Sequence, residues 1–156
     1  MLAHDYLTTP IGTLEICANT AAITSVLFVE STRTAHPNSI TALGINQLKE
    51  YFAAQRQHFQ LPLAPTGTQF QHKVWRALQQ IPYGESVSYS NIALAIGNPQ
   101  ACRAVGAANG KNPISIIVPC HRVIGQNKRL VGYAGGLERK AWLLQLEAQQ
   151  MNQLIT

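Results

Sequence analysis

Ile114-Ser115-Ile116-Ile117-Val118-Pro119-Cys120-His121-Arg122 is the stretch on which the reading of this chain turns. The run Ile114–Val118 is apolar except for Ser115 and predicts a buried strand. Pro119 restricts Val118 to extended geometry and stops the strand. The thiol of Cys120 is then expected at the strand's edge. Only the thiolate is a strong nucleophile, and an unperturbed thiol is mostly protonated at neutral pH. A neighbouring imidazole, His121, and the charge of Arg122 are expected to favour the thiolate. Taken alone, Pro119-Cys120-His121-Arg122 serves equally well a reactive cysteine and an inert buried one, which is the commoner fate of a free thiol.

The composition narrows the setting. At 156 residues the chain suits one domain of ordinary size, or two small ones sharing a core. Only 12% of residues are charged, about half of the usual roughly 25%, so Gln, Asn, Ser and Thr build much of the surface. No run of about 18 apolar residues occurs, so no membrane span is expected. The opening residues lack the basic-then-apolar pattern of a signal peptide, and a cytoplasmic address is expected. Cys17, Cys102 and Cys120 are odd in number and widely spaced, with no Cys-x-x-Cys. That argues against a disulfide framework and a finger-type zinc site.

Charge is unevenly spread. Over residues 1–65, Arg33, Lys49 and Arg56 are outnumbered by Asp5, Glu15, Glu30 and Glu50. Over residues 66–156, nine Lys and Arg face only Glu85, Glu138 and Glu147. A polyanion such as nucleic acid suits that half, and so does plain solubility.

Residues 5–18 and 22–30 alternate and carry β-formers, with a turn at Ala18–Ala21. Residues 40–54 have helical spacing, and Phe59–Leu63 reads as a short edge strand because it contains Pro62. This first part is a small α+β unit, with Pro65-Thr66-Gly67 as linker. The second part is mostly helical. Thr68 caps a helix through Gln80, and Ser88 caps Tyr89–Ile96. Asn98 is expected to cap a further helix, with Pro99 as its first residue, running to about Ala108. Two short helices joined at Gly97-Asn98 form a helix-turn-helix by spacing, which fits a DNA reader and ordinary helix packing alike. A polar loop is expected over 126–129. Glycines 132, 135 and 136 around Tyr133 mark a tight turn or a close approach. The last helix is expected from Leu137 to about Gln149, burying Trp142, Leu143 and Leu146. Glu147 then lies near its end, where the helix dipole disfavours a carboxylate.

Many motifs now stand in one order: Gly67-Thr68-Gln69-Phe70-Gln71, Val74-Trp75, Ile81-Pro82-Tyr83-Gly84, Ser88-Tyr89, Gly97-Asn98-Pro99, Arg103-Ala104-Val105-Gly106-Ala107, Asn112-Pro113, Ile117–Val123, Gly132–Gly136, and Trp142-Leu143-Leu144 with Glu147. Over about 66–148 the chain resembles the O6-alkylguanine-DNA alkyltransferases, also called methylated-DNA–protein-cysteine methyltransferases. The resemblance implies an α+β fold: a small ribonuclease-H-like unit over 1–65, then a mostly helical DNA-binding and alkyl-acceptor domain over 66–156 with a helix-turn-helix. It implies direct, single-use repair of O6-methylguanine, and of O4-methylthymine, in duplex DNA after the base is flipped out.

The resemblance also implies roles. Cys120 is the alkyl acceptor, His121 the base acting through a water, Glu147 its orienting carboxylate and Tyr89 a proton donor to the base ring. Arg103 fills the stack the base has left, while Ala104, Gly106, Ala107 and Ser88 approach the DNA. Val123, Tyr133, Ala134 and Gly135 form the base pocket. Family members often carry Ser where Ala134 stands, so only a backbone N–H is offered there. Asn112 is a hinge joining the helix pair to the cysteine strand. Arg122 is expected to pair internally, and Cys17 and Cys102 to be inert. Some relatives hold zinc near the N-terminus, but Cys17 with His4, His36 and His58 is an incomplete set, so no metal is expected. Neither is a cofactor, and the protein is expected to act as a monomer.

Overall fold

The computed structural model describes residues 2–125, 130 and 132–155, the side chains of 152–155 excepted. The loop expected over 126–129, and Val131, lie outside the described residues. The chain divides into two compact units, Met1–Thr66 and Gly67–Thr156.

In the first unit β1 (Ala3–Thr9), β2 (Gly12–Ala18) and β3 (Ile23–Val29) form an antiparallel sheet in sequential order. The two-residue period buries Leu14, Ile16 and Ala18 of β2. α1 (Ser39–Phe52) packs on the sheet and buries Leu48 and Tyr51. It starts at Asn38, whose Oδ1 accepts from Thr41 N at 2.8 Å while Thr41 Oγ1 accepts from Asn38 N at 2.9 Å.

Two strand expectations are corrected here. Residues 5–18 are two strands, because Pro10 has no N–H for a ladder and Thr9 Oγ1 closes a turn, donating to Gly12 O at 2.7 Å. Phe59–Leu63 is not a strand. Pro62 interrupts donation, and only Leu63 makes a bridge, to Ile23. The segment is held instead by buried Gln47, whose side-chain amide exchanges two hydrogen bonds with the Gln60 backbone, at 2.9 and 3.1 Å.

The second unit contains α2 (Gln69–Leu78), β4 (Val87–Ser88), α3 (Tyr89–Ala95), α4 (Cys102–Gly110), a 3₁₀ turn (Cys120–Arg122), β5 (Val123–Ile124) and α5 (Leu137–Ile155). α2 and α3 start where their caps predict. Thr68 and Gln71 exchange two hydrogen bonds, at 2.9 and 3.1 Å, and Ser88 and Asn91 do the same at 3.0 and 3.1 Å. Buried Trp75 donates its indole N–H to Ala108 O at 2.9 Å, which ties α2 to the last turn of α4.

Three expectations fail in this unit. Asn98 does not cap α4. Its carbonyl accepts from Ala101 N at 3.0 Å, closing a β-turn with Pro99 at the second position, the place its fixed φ favours. α4 therefore begins at Cys102, without a side-chain cap, and runs to Gly110. α5 continues to Ile155, so Glu147 lies mid-helix, clear of the C-terminal dipole. Along it Leu143 is buried, while Trp142 and Leu146 are half-buried.

The third is the strand expected at Ile114–Val118. The segment is buried throughout but is a tight loop, because Asn112 takes the backbone groups a strand would need. Its Oδ1 accepts from Ile114 N at 3.0 Å, and its Nδ2 donates to Ile114 O at 3.2 Å and Val118 O at 2.9 Å. Ile117 N also donates to Ser115 O at 2.8 Å across Ile116, whose φ is +72°. That left-handed conformation in a β-branched residue is a strained γ-turn, costing about 1–3 kcal/mol. Asn112→Ala removes the buried amide that offsets it. A loss of about 2–4 kcal/mol is expected, read as a lower urea midpoint.

Candidate active site

Cys120 opens the 3₁₀ turn and is 3% exposed. Its carbonyl accepts from Val123 N, which closes the turn, and from Asn109 Nδ2 at 3.4 Å. Burial pushes the thiol up from its ordinary value; the Asn112 side chain and the charge of Lys140 oppose that rise. The expectation that Arg122 activates the thiol is thus replaced. Among the described residues the cation whose charge lowers the Cys120 pKa is Lys140, fully buried on α5, whose Nζ donates to Val123 O at 2.6 Å.

Arg122 is engaged elsewhere. Its Nε and Nη2 donate to the two oxygens of Glu147, at 2.8 and 3.1 Å, and its Nη1 donates to Ile81 O at 2.7 Å. His121, fully buried, places Nε2 2.7 Å from Glu147 Oε2. Gly84 N donates to Glu147 Oε1 at 3.4 Å. With φ of +83°, Gly84 occupies a conformation that disfavours other residues, and Met151 lies where a Cβ would project. Burial alone would raise the Glu147 carboxyl; the hydrogen bonds from His121 and Arg122, with the Arg122 charge, overcome it and hold the group at about 2. Burial lowers the His121 pKa, with Glu147 opposing, so the imidazole is neutral near pH 7. A carboxylate on Nε2 fixes that nitrogen as the N–H donor. Nδ1 is therefore the basic nitrogen; it is buried and has no protein partner among the described residues.

Tyr89 reaches this site through β4, which pairs in parallel with β5, Val87 to Val123 and Ser88 to Ile124. Its ring lies against Gly106, and its hydroxyl lies 3.3 Å from where a Cβ on Gly132 would stand. Gly132 has φ of +56°, so both conformation and clearance call for glycine there. Burial, then the nearby Cys120, raise the pKa values of Tyr89 and Tyr133, keeping both phenols protonated. Ala134 is exposed and Gly135 half-buried, while Val123 is buried with both backbone groups engaged.

On α4, Arg103, Ala104 and Ala107 are exposed and Gly106 is half-buried, whereas Val105, Ala108 and Asn109 face the core. These small residues thus share the solvent side with Arg103. The Ser88 hydroxyl caps α3, and Cys102 Sγ lies 3.2 Å from Ser90 Oγ. The sequence reading missed Lys140, Asn109 and Gly84. One signal was available for Lys140: it stands seven residues, two helical turns, before Glu147 and so on the same face.

Glu147→Gln strips Arg122 of its counter-charge, and a loss of about 3–5 kcal/mol at pH 7 is expected. The depressed folded pKa means that the carboxylate's contribution is complete above the ordinary carboxylate range and vanishes as pH falls through about 2. The gap between wild type and variant in urea denaturation should therefore shrink steadily below about pH 5.

Comparison with known proteins agrees with this architecture. The profile described as 6-O-methylguanine DNA methyltransferase, DNA binding domain, matches residues 69–149, and the ribonuclease-like domain of the same description matches 2–65. A methylated-DNA–protein-cysteine methyltransferase of Mycolicibacterium paratuberculosis is 46% identical over 154 residues, covering 94% of this chain and 93% of the relative. The crystal structure of a Mycobacterium tuberculosis O6-methylguanine methyltransferase superposes with a TM-score of 0.88 at 44% identity, over 96% of this chain and 94% of that one. Mycobacterium tuberculosis OGT in complex with DNA gives 0.87 at 45% identity, over 94% and 93%. With both of its units matched in chain order, this chain belongs to the 6-O-methylguanine DNA methyltransferase family, the methylated-DNA–protein-cysteine methyltransferases.

Proposed function

We propose that this protein repairs duplex DNA by moving the alkyl group of O6-methylguanine, and of O4-methylthymine, onto Cys120, once per molecule and as a monomer. The observation that carries the reading is the buried Cys120-His121 pair, with Glu147 on Nε2 and Nδ1 left basic.

In the proposed step a water relays the Cys120 thiol proton to His121 Nδ1. Glu147 stabilises the imidazolium that forms. The sulfur lone pair forms the S–C bond in line as the C–O6 bond breaks, and the electron pair of that bond passes to the guanine oxygen. Tyr89 gives its proton to the base ring, which neutralises the leaving group and restores guanine. The product is a thioether. It has no good leaving group, so the cysteine is not regenerated.

A buried thiol cannot reach a stacked base, so the nucleotide is turned out of the helix. Arg103 takes its place in the stack, from the minor groove, while the small exposed residues of α4 let the helix approach closely. Tyr133, Ala134, Gly135 and Val123 border the base, Ala134 through its backbone N–H alone. Ser88 contributes to DNA contact by fixing the start of α3, and Asn112 joins the helix pair to the nucleophile's turn.

Incubation with methylguanine duplex should add one methylene mass to the Cys120 peptide and stop at one equivalent, and Cys120→Ala should add none. Methylation in that variant, or turnover past one equivalent, defeats the mechanism. Arg103→Ala should slow transfer from duplex by about tenfold or more, the scale of a few kcal/mol for unstacking, yet leave transfer from the free methylated base unchanged. Equal losses on both substrates would remove Arg103 from base extrusion.

A further inference from the structure

The described residues leave three buried side-chain atoms without a hydrogen-bond partner: Asn109 Oδ1, His121 Nδ1 and Tyr133 Oη. His121 adjoins Cys120, and Asn109 reaches it from α4, where its Nδ2 donates to Cys120 O at 3.4 Å. A carbonyl only accepts, so the amide must turn its nitrogen to it, which leaves Oδ1 as the free atom. Asn109 is 2% exposed, so bulk solvent does not satisfy that oxygen. Buried polar groups are nearly always paired, and an unpaired acceptor calls for a donor brought to it. The backbone acceptors of the nucleophile's turn are already engaged. Cys120 O takes Val123 N as well as Asn109, Val123 O takes Lys140, Pro119 O takes Arg122 N, and Val118 O takes Asn112 and Cys120 N. Of the three unpartnered atoms, His121 Nδ1 receives the thiol proton, and the Tyr133 phenol carries a proton of its own. Asn109 Oδ1 is the acceptor that the proposed transfer leaves unused.

We propose that Asn109 is a specificity-determining residue, whose Oδ1 accepts from the exocyclic 2-amino group of the base held at Cys120. The chemistry of the two lesions selects that donor. In O6-methylguanine the ring nitrogens N1, N3 and N7 only accept, and the 2-amino group is the one donor. O4-methylthymine offers acceptors alone. The first lesion therefore satisfies Asn109 Oδ1. The second leaves it buried and unpaired, which a site built to hydrogen-bond penalises. The place of Asn109 in the fold fits this task. α4 turns Arg103, Ala104 and Ala107 to solvent, while Asn109, next to its last residue, faces inward to the nucleophile's turn. One helix then serves both the approach to DNA and the reading of the extruded base. The proposal deepens the alkyl-acceptor reading and rests on it.

Single-stranded oligonucleotides, which carry no cost of unpairing, isolate the contact. The wild type should methylate Cys120 about tenfold faster from O6-methylguanine than from O6-methylhypoxanthine, which lacks only the 2-amino group; about tenfold is the scale of one neutral hydrogen bond. Asn109→Leu is similar in size and lacks the acceptor. In it, transfer from O6-methylguanine should fall by about that factor while transfer from O6-methylhypoxanthine holds. The gap between O6-methylguanine and O4-methylthymine should narrow with it. Where Asn109→Leu does not fold, Asn109→Ala is read in the same way. Equal wild-type rates on the two purines, or a purine ratio that survives in the folded variant, overturns the proposal. A surviving ratio with a uniform loss would make Asn109 only a brace on the Cys120 carbonyl. A second arm measures binding by Cys120→Ser, which cannot form the thioether. It should bind the O6-methylguanine strand more tightly than the O6-methylhypoxanthine strand, and lose that difference when Asn109→Leu is added. An absent or undiminished difference overturns the proposal too. If the wild type transfers from none of the three bases, the functional reading fails while the binding arm still decides this one.

Discussion

The second unit depends on one buried carboxylate. Glu147 accepts from Arg122 twice, faces His121 Nε2 and receives Gly84 N, so one side chain joins α5, the nucleophile's turn and the connection between α2 and β4. Arg122 extends the tie to Ile81. Isolated charges buried this deeply would each cost several kcal/mol. Here the full set of donors offsets that cost, and the geometry admits no partial version. The same bond that holds the turn also fixes which imidazole nitrogen is basic, so stability and proton chemistry share one interaction.

Around this tie, each residue of Cys120-His121-Arg122-Val123 is gripped by a buried polar side chain. Asn109 donates to the Cys120 carbonyl, Glu147 holds His121 and Arg122, and Lys140 donates to Val123. Upstream, Asn112 braces a loop that contains the strained Ile116. Burial works against the thiolate throughout, and the local donors and cation work for it. The nucleophile is therefore placed by enclosing polar groups rather than by regular secondary structure.

Much of the fold was legible in the sequence wherever a local rule controlled the backbone. Thr68 with Gln71 and Ser88 with Asn91 mark helix starts because their partners lie three residues away. Apolar content cannot distinguish a buried strand from a buried loop over Ile114–Val118, where the Asn112 side chain just upstream satisfies the backbone. Asn98 looked like a cap, yet Pro99 served a β-turn equally well. The motif order pointed to Cys120, His121 and Glu147 together, and the structure places Glu147 on His121. Lys140 was legible only through its seven-residue spacing from Glu147, because a lysine on an amphipathic helix ordinarily points to solvent. Its burial depends on the turn that closes over it, which is a tertiary fact.

That burial also explains why Arg122 could not do what its place in the sequence suggests. A cation close to a cysteine in sequence acts on the thiolate only if its charge is not spent. Arg122 has a planar fork, and a carboxylate with two free oxygens matches it in a bidentate pair. Once Glu147 is buried and ionised, that pairing is the strongest available to either side chain, so the Arg122 charge is neutralised within the pair. Lys140 presents a compact charge to a carbonyl, which accepts a hydrogen bond without cancelling that charge. The two cations divide the work by geometry: the forked one ties the turn to Glu147 of α5, and the point charge holds the carbonyl of Val123.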